Sequence, residues 1–213
     1  MTNPQLSTIE PTDGIDFIDL IDNRQAGIDW ANDHVPPRFA DATTTRPVIH
    51  TWVAQLLNTA ITRRRCGQPV ARRGRSLLIV GPIGTGKTHQ AYGALRALSV
   101  SGAVCKWQAT TELDLFRRLR PSNGHDAPAE YRTIAGAHVL LLDDLGTEKR
   151  TEWTESQLLS IIDHRYAYML PTLITSNIAP GDFGATFGDR VTSRLAEMTD
   201  IVTLEGPDRR RTP

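Results

Sequence analysis

The octapeptide GPIGTGKT, residues 81–88, constrains the fold of this chain more than any other stretch. It lies between an apolar run, Ser76–Val80, and a helix-compatible run over residues 89–98. It fits the phosphate-binding loop pattern G-x-x-x-x-G-K-[ST]. Such a loop points backbone N–H groups at phosphate oxygens, and glycines keep side chains out of the turn. The sequence therefore predicts a nucleoside triphosphate site between a strand and a helix.

Each polar group of this loop has an expected task. Lys87 is expected to reach the β- and γ-phosphates, and the Thr88 hydroxyl to ligate Mg²⁺. The N-terminus of the following helix adds a partial positive charge. The predicted cofactors are ATP and Mg²⁺, and the predicted nucleotide-binding residues are Gly81, Pro82, Ile83, Gly84, Thr85, Gly86, Lys87, Thr88 and His89.

Composition narrows the class of protein without naming a partner. The 213 residues hold 24 Lys and Arg against 24 Asp and Glu, so global charge indicates neither nucleic acid nor a membrane, and any basic patch is local. Cys66 and Cys105 suit a reducing compartment better than a disulfide framework or a zinc site. The first residues lack a signal-peptide pattern, and there is no apolar run of membrane-spanning length. We therefore expect a cytoplasmic protein.

Strand and helix patterns alternate from the glycine loop onward. Strands are expected at 76–80, 104–109, 139–142, 172–175 and 201–204, with helices at 87–99, 111–119, up to about 135, 152–169 and 188–198. Continuous apolar strands separated by helices predict an α/β fold, a parallel sheet covered by helices on both faces.

The residues before this alternating region fall into three segments. Residues 15–30 alternate Ile or Leu with Asp and predict a short acidic helix, which either packs on its own core or docks on a partner. Residues 35–47 contain three prolines and predict an extended lead-in. A helix is expected over residues 48–65.

A local basic cluster follows that helix. Its members are Arg63, Arg64, Arg65, Arg72, Arg73 and Arg75. They either meet the phosphates of nucleotide or nucleic acid, or form a solvated loop beside a helix C-terminus.

Two adjacent carboxylates end the apolar strand at 139–142. Carboxylates are costly to bury, so Asp143 and Asp144 are expected at the carboxyl edge of the sheet, where α/β proteins bind ligands. We expect Asp143 to hold Mg²⁺ and Asp144 to polarise the attacking water. At the same edge Asn177, or alternatively Ser176 or Thr175, is expected to orient that water.

Arg190 and Arg194 are four residues apart and share one face of a predicted helix. An arginine finger stabilises the charge on a transferring phosphoryl group and is often supplied by a neighbouring subunit. The alternative interpretation of this arginine pair is a solvated helix face.

Taken together, the run DDLGTEKRTEW, IIDHRYAYMLPTLITSN, GDRVTSRL and VTLEGPDRR resembles the DnaC/IstB family of AAA+ ATPases. The resemblance covers about residues 37–211. It implies a three-layer P-loop fold with a five-stranded parallel sheet in the order 5-1-4-3-2. It further implies a homo-oligomer with ATP at the subunit interfaces, Asn177 as first sensor and Arg194 as finger. Arg165 lies in an Arg-Tyr step of that family, with a role left open.

The resemblance also sets expectations about domains and departures. Residues 1–36 are expected to form an N-terminal extension and residues 37–213 the ATPase domain, without a C-terminal lid. The extension has no cysteine, so a zinc-bearing helicase-binding domain is not expected. Asp144 stands where many AAA+ proteins have Glu, and its shorter side chain fits slow hydrolysis.

The function implied is an ATP-dependent loader of a replicative DNA helicase onto single-stranded DNA. An IstB-like transposition helper, with a transposase as partner, is the alternative within the same fold. Two further alternatives are a small-molecule P-loop kinase and a nucleotide switch that binds without hydrolysis. The paired acids at residues 143 and 144 favour water activation over the kinase.

Overall fold

The structure is a computed structural model that describes residues 17–62, 68–121 and 126–208. The predicted run Arg63, Arg64 and Arg65, the expected start of the first helix at Ile15, and Cys66 lie outside these residues. The strands are β1 Ser76–Val80, β2 Trp107–Thr111, β3 Val139–Leu145, β4 Thr172–Ser176 and β5 Thr199–Thr203. The helices are α1 Phe17–His34, α2 Pro47–Thr62, α3 Lys87–Ser99, α4 Glu112–Leu119, α5 Ala127–Ala135, α6 Glu152–Ala167 and α7 Phe183–Met198.

The five strands form one parallel sheet in the order β2-β3-β4-β1-β5. This is the predicted order 5-1-4-3-2 taken from the other edge, so the predicted sheet is confirmed. Every residue of β1 and of β4 is buried, as expected for central parallel strands. The carboxyl ends of β1, β3 and β4 lie side by side, and this edge carries the polar residues predicted for the site.

One face of the sheet packs against helices α4 to α7. Most strand residues of this core are alternate ones, which therefore project from the same side: Leu78, Val80, Leu140, Leu142 and Ile174. Leu145 of β3 also belongs to the core and lies beyond a shift in the β3–β4 register. Side chains of the helices complete the cluster, among them Leu115, Phe116, Ile134, Leu158, Ile161, Phe187, Val191 and Leu195. Burying each such side chain contributes about 1.5–3 kcal/mol relative to leaving it in water.

Short polar residues begin three of these helices. Thr111 accepts a hydrogen bond from Asp114 N (3.1 Å), and Asp126 accepts one from Ala129 N (2.9 Å). Thr151 and Thr154 form a reciprocal capping box at the start of α6. Each cap satisfies an orphan N–H and fixes where the helix starts relative to the preceding strand or loop.

The chain divides into two compact units. The larger comprises Arg75–Thr88 and the chain from Trp107 onward, and holds the sheet with α4 to α7. The smaller comprises the chain up to Gly74 together with His89–Lys106.

The first helix packs within this smaller unit. Leu20 and Ala31 of α1 are buried, while Ile18 and Ile21 are 66% and 50% exposed. A Cβ at Gly27 would lie 2.1 Å from the carbonyl oxygen of Ser99, so α1 touches the end of α3 there. One face of the predicted acidic helix therefore packs on its own unit and another carries exposed isoleucines.

Several element boundaries differ from those predicted: β3 extends to Leu145, α1 extends to His34 and β5 starts at Thr199. Two further differences have a local cause. The second strand begins at Trp107, not at 104, because Val104 forms a separate bridge with Val70. Helix α7 begins at Phe183, five residues before the predicted start, because a non-helical Gly188 interrupts the pattern. In the part of the chain that the structure describes, no helix is long and apolar enough to cross a membrane.

Candidate active site

The glycine loop joins the end of β1 to the start of α3, as the sequence predicts. Gly84 and Gly86 have φ angles of +82° and +92°, a region that side chains rarely occupy. Thr85 is buried and donates through Oγ1 to the Pro82 carbonyl (2.9 Å), which closes the turn. These are the features of a phosphate-binding loop, in which backbone N–H groups and a helix N-terminus bind phosphate.

Lys87 folds over this loop and joins it to the neighbouring strand. Its ammonium donates to the carbonyls of Gly81 (2.8 Å) and Pro82 (2.9 Å) and to Oδ1 of Asn177. Asn177 directly follows β4, whose register sets Ser176 beside Val80. Parallel pairing of β1 with β4 thus brings two residues 90 positions apart into direct contact.

Asp143 receives hydrogen bonds from two threonines. Thr88 Oγ1 lies 3.0 and 3.2 Å from its two oxygens, and Thr175 Oγ1 donates to Oδ1 at 2.5 Å. Burial raises the pKa of Asp143 and the nearby Asp144 charge raises it further, whereas the two threonines and Lys87 oppose the rise. The buried Asp143 carboxylate, whose charge is only partly stabilised by these neighbours, is well suited to bind a cation.

These residues fit a Mg²⁺ ion shared with a bound nucleotide. The hydroxyl of Thr88 and the carboxylate of Asp143 are hard oxygen donors already in contact, and Mg²⁺ is usually held by one or two carboxylates plus substrate phosphates and water. No group of three or more His, Cys, Asp and Glu that could hold a metal occurs among the described residues. Thr88 and Asp143 would supply two ligands to such an ion.

Asp144 is the less buried of the two acids. Its φ of +55° places it in the left-handed region, and its backbone N–H donates to Thr175 Oγ1 (2.9 Å). Within the residues described, its carboxylate makes no hydrogen bond. The Asp144 carboxylate is therefore not engaged by a partner in the described part of the chain.

Of the three residues considered for orienting water, only Asn177 remains available at the loop. Ser176 donates to the Leu145 carbonyl (2.7 Å) and accepts from Ile178 N (3.1 Å), and Thr175 connects the two acids. Asn177 is exposed, and its Oδ1 contacts Lys87.

The two arginines of α7 contact none of the residues gathered around the loop. Arg194 donates through Nε to Asp163 Oδ1 (3.0 Å) and lies over the Tyr166 ring, so its partners belong to α6. Arg190 is exposed and has no hydrogen bond or ion pair in the described part of the chain. A finger acting on the same subunit's nucleotide is therefore not evident from these contacts.

A fully buried carboxylate beside the site escaped sequence reasoning. Glu112 Oε2 accepts from three successive N–H groups after the acidic strand: Gly146 (2.9 Å), Thr147 (3.0 Å) and Glu148 (3.1 Å). Its Oε1 lies 2.5 Å from Arg150 Nη2, close enough for an ion pair but without hydrogen-bond angles. Glu112 therefore holds the loop that follows Asp144.

A second acid that the sequence did not flag lies against the glycine loop. A Cβ at Gly84 would lie 1.8 Å from Asp208 Oδ1, so the segment after β5 occupies the space beside that glycine. A short polar residue after the last strand of a parallel sheet is the signal that could have indicated it.

Two predicted basic residues have structural partners instead. Arg165 is fully buried and donates to Thr172 Oγ1 and to the carbonyls of Ile134, Ala135, Ala137 and Pro171. Burial lowers its pKa to about 9. Arg75 pairs with Asp200 (2.7 Å) and donates to the carbonyls of Glu197, near the end of α7, and Thr199, at the start of β5. Arg165 thus links α6 to the end of α5 and to the start of β4.

The glycine loop on β1, the acids ending β3, the amide after β4 and the sheet order define a P-loop nucleotide-binding fold of the AAA+ type. More narrowly, the chain belongs to the family described as IstB-like ATP binding protein, whose model matches residues 62–211.

The relatives with curated descriptions include insertion-sequence ATP-binding proteins and a helicase loader. An insertion-sequence ATP-binding protein of Mycobacterium tuberculosis is 27% identical over 146 residues, which cover 64% of this chain and 56% of that protein. The replicative helicase loader DnaI of Bacillus subtilis is 24% identical over 154 residues, covering 65% and 48%. The chain thus spans about half the length of the curated relatives it matches.

Solved structures agree with the fold. The crystal structure of the DnaC helicase loader superimposes with a TM-score of 0.62 at 23% identity, covering 80% of this chain and 100% of that one. The crystal structure of DnaI gives a TM-score of 0.63 at 20% identity, covering 82% and 94%. At these identities the likeness establishes the fold and leaves the activity open.

Proposed function

We propose that this protein hydrolyses ATP in a homo-oligomer and uses the cycle to load a replicative helicase onto single-stranded DNA. The observation that supports hydrolysis is the contact network joining Lys87 to Asn177 and Thr88 to Asp143, with Asp144 left open beside them. This network unites the ends of β1, β3 and β4 around the glycine loop. The kinase alternative gains no support from it, because these groups hold phosphate and activate water.

The residues divide the work as follows. The loop N–H groups and Lys87 hold the phosphates, with His89 beside them in the first turn of α3. Thr88 and Asp143 would hold Mg²⁺, which would supply positive charge to stabilise the transferring phosphoryl group. Asp144 accepts a hydrogen bond from the attacking water. Asn177 positions that water between the Asp144 carboxylate and the γ-phosphate. Thr175 links these two residues, because its hydroxyl donates to the Asp143 carboxylate and accepts from the Asp144 backbone N–H.

The described contacts favour completion of the site by a second subunit. Arg194 and Arg190 lie on α7, and neither contacts the loop of its own chain. A finger from a neighbouring subunit would make hydrolysis depend on assembly. Slow turnover by the isolated subunit and faster turnover in the oligomer are the expected behaviour.

A transposition helper is the second candidate, and the family match favours it specifically. The matched family is named for an insertion-sequence protein, and one curated relative is an insertion-sequence ATP-binding protein. On this proposal a transposase replaces the helicase as partner.

A loading assay separates these candidates. The full chain, ATP and Mg²⁺ are mixed with the host's replicative helicase and circular single-stranded DNA, and helicase bound to the circle is measured. We expect ATP-dependent loading that Asp144→Asn alters while ATP still binds. No loading, together with ATP-dependent binding to an insertion-sequence transposase, would favour the second candidate. Absence of turnover under every condition would leave the non-hydrolysing switch.

Lys87→Ala tests the nucleotide site itself. Removing a charge-assisted contact worth about 1.5–3 kcal/mol should weaken ATP binding by roughly 10- to 150-fold. Equilibrium titration with a fluorescent ATP analogue measures this, and Lys149→Ala, at an exposed lysine, is the matched control. Equal affinities of the two variants would refute the assignment of the loop.

A further inference from the structure

Arg194 is held in place by two residues of the neighbouring helix. Its Nε donates to Asp163 Oδ1 (3.0 Å), and its guanidinium carbon lies 4.6 Å from the centroid of the Tyr166 ring. Tyr166 is fixed in turn, because its hydroxyl donates to Glu197 Oε1 (2.5 Å). Residues from α6 and α7 thus form a closed cluster around one guanidinium.

This cluster engages only part of the guanidinium. One edge and one face of Arg194 are occupied, and Nη1 and Nη2 make no hydrogen bond to any residue in the described ranges. The Arg194 side chain is 41% exposed. The unbonded pair of amino groups is the part of arginine that grips phosphate in bidentate fashion.

Arg190 makes a useful comparison on the same helix. It is exposed, and it has none of the contacts that restrain Arg194. A long, freely rotating side chain loses rotamer entropy when it engages a ligand, whereas a restrained one has lost much of it already. Of these two arginines, only Arg194 is therefore restrained before it meets a ligand.

We propose that Asp163 and Tyr166 are positioning residues that hold Arg194 with its terminal amino groups presented to the γ-phosphate bound by a second copy of this chain. The inference rests on the proposed function, since it assumes that ATP lies between subunits. Asp163 keeps the Nε edge and Tyr166 supports one face, so the two Nη groups reach phosphate without rearrangement. The α6–α7 face is then the surface that meets the neighbouring nucleotide.

Asp163 could instead sequester Arg194 away from phosphate, and that role predicts the opposite effect on ATP turnover. If its carboxylate sequestered Arg194, removing the charge would release the finger and raise the activity. If it orients Arg194, the same change lowers the activity. The sign of the effect of Asp163→Asn therefore discriminates the two roles.

The first experiment measures ATP turnover by the assembled protein. Asp163→Asn and Tyr166→Leu should each lower kcat roughly 10-fold, because small displacements of a positioned group cost one to two orders of magnitude. KM and ATP binding by the isolated subunit should stay within two-fold. Tyr166→Phe, which keeps the ring, should retain most of the activity, and Glu155→Gln, an exposed acid elsewhere on α6, serves as the charge control.

The second experiment mixes variant subunits. Asp144→Asn subunits carry an intact finger, so they should restore turnover at ATP sites contributed by Asp163→Asn subunits. Mixing Asp163→Asn with Arg194→Ala subunits should restore nothing. A merely structural defect would not be corrected by a neighbour, and thermal unfolding of each variant checks that it folds.

The possible failures are distinguishable. Wild-type kcat in Arg194→Ala would overturn the proposed intersubunit site. Loss of activity in Arg194→Ala, with wild-type or increased kcat in both Asp163→Asn and Tyr166→Leu, would overturn the positioning role alone.

Discussion

The environment of Asp143 favours cation binding and lowers the stability of the nucleotide-free protein. It is buried, it lies beside a second carboxylate, and its hydrogen bonds to Thr88 and Thr175 only partly offset these effects. Its pKa is consequently raised above the ordinary aspartate value of 3.8. The ionised form that Mg²⁺ requires is thus the form that destabilises the nucleotide-free fold.

We therefore expect Asp143→Asn to stabilise the nucleotide-free protein while abolishing metal-dependent activity. Asparagine keeps an acceptor for Thr88 or Thr175 and removes the buried charge. Stability at neutral pH should be equal to or above that of wild type, and turnover should fall at least about 100-fold, by comparison with the 10–100-fold cost of losing an outer-shell partner. Urea unfolding and an ATPase assay measure the two effects.

The pH dependence of this difference follows from linkage. Because the pKa of Asp143 is raised on folding, its contribution to stability is fully present below the unfolded pKa and is lost as pH rises through the folded one. The advantage of Asp143→Asn over wild type should therefore be larger at pH 7 than at pH 4. A larger advantage at pH 4 would contradict the assigned environment of this carboxyl.

Individual site residues were predictable where a local pattern names the chemistry. Lys87 and Thr88 belong to a loop whose spacing is dictated by phosphate, and Asp143 ends an apolar strand. Glu112 was not predictable, because a glutamate at a helix start is already explained by the helix dipole. Its burial depends on backbone N–H groups that arrive 34 to 36 residues later.

At the scale of elements, α7 contains a break that the sequence partly concealed. Gly188 has φ +76° and ψ 162° inside Phe183–Met198, a conformation that is essentially restricted to glycine. The helical pattern was therefore predicted to begin there, whereas a preceding helical segment already starts at Phe183. The break sets the direction of the segment that carries Arg190 and Arg194.

Gly188→Ala should destabilise the protein by about 1–3 kcal/mol, the cost of a strained backbone conformation. No atom lies within 4 Å of a Cβ at this position, so the effect isolates backbone strain from steric clash. Gly184→Ala is the matched control: it lies in the same helix at a φ that is not positive, and its Cβ would meet only Asp189 Oδ1 at 3.9 Å. Chemical denaturation of both variants decides the matter.

The expected control result is no loss of stability or a slight gain, since alanine restricts the unfolded chain more than glycine does. Equal effects of the two substitutions would mean that the break at Gly188 is unimportant to stability. Loss of finger-dependent turnover in Gly188→Ala beyond the loss of folded protein would indicate that the break also positions Arg194.

The strand predictions succeeded in order and erred at the ends. Apolar runs identify β1, β3 and β4 because parallel strands are buried on both faces. The second strand ends in two polar residues, Thr110 and Thr111, which continue the pairing with β3. Because the prediction relied on apolar residues, it placed the strand at 104–109, too early in the chain. The end of this strand is set by its pairing with β3, which cannot be predicted from the composition of the segment.

For the whole molecule, alternation of strands and helices was enough to predict the parallel sheet, whereas the strand order came from the resemblance to the DnaC/IstB family. The division into two compact units was not predictable, because α3 begins at Lys87 in one unit and continues from His89 in the other. Because the helix continues across the boundary between the units, no local sequence pattern marks that boundary. Local sequence patterns do not identify the partner either, since the relatives of this chain include both an insertion-sequence ATP-binding protein and a helicase loader.

The distribution of charge across the molecule sharpens the proposed contact with single-stranded DNA. Net charge is zero, so binding depends on a local basic surface. Arg75 is engaged with Asp200, whereas Arg72 and Arg73 are exposed, and no ion pair involves either of them in the described ranges. Phosphate contact is therefore expected from the latter pair.

Replacing Arg72 and Arg73 with Gln should weaken binding to single-stranded DNA and reduce the salt dependence by about 1.4, since each lost phosphate contact removes about 0.7 from the slope of log K against log salt. Arg75→Gln is the matched control and should leave the slope unchanged, because its charge is already compensated by Asp200. Fluorescence anisotropy with an oligothymidylate across a salt series measures both. An unchanged slope in the double variant would exclude this surface, whereas a reduced slope in Arg75→Gln would mean that the ion pair opens to admit phosphate.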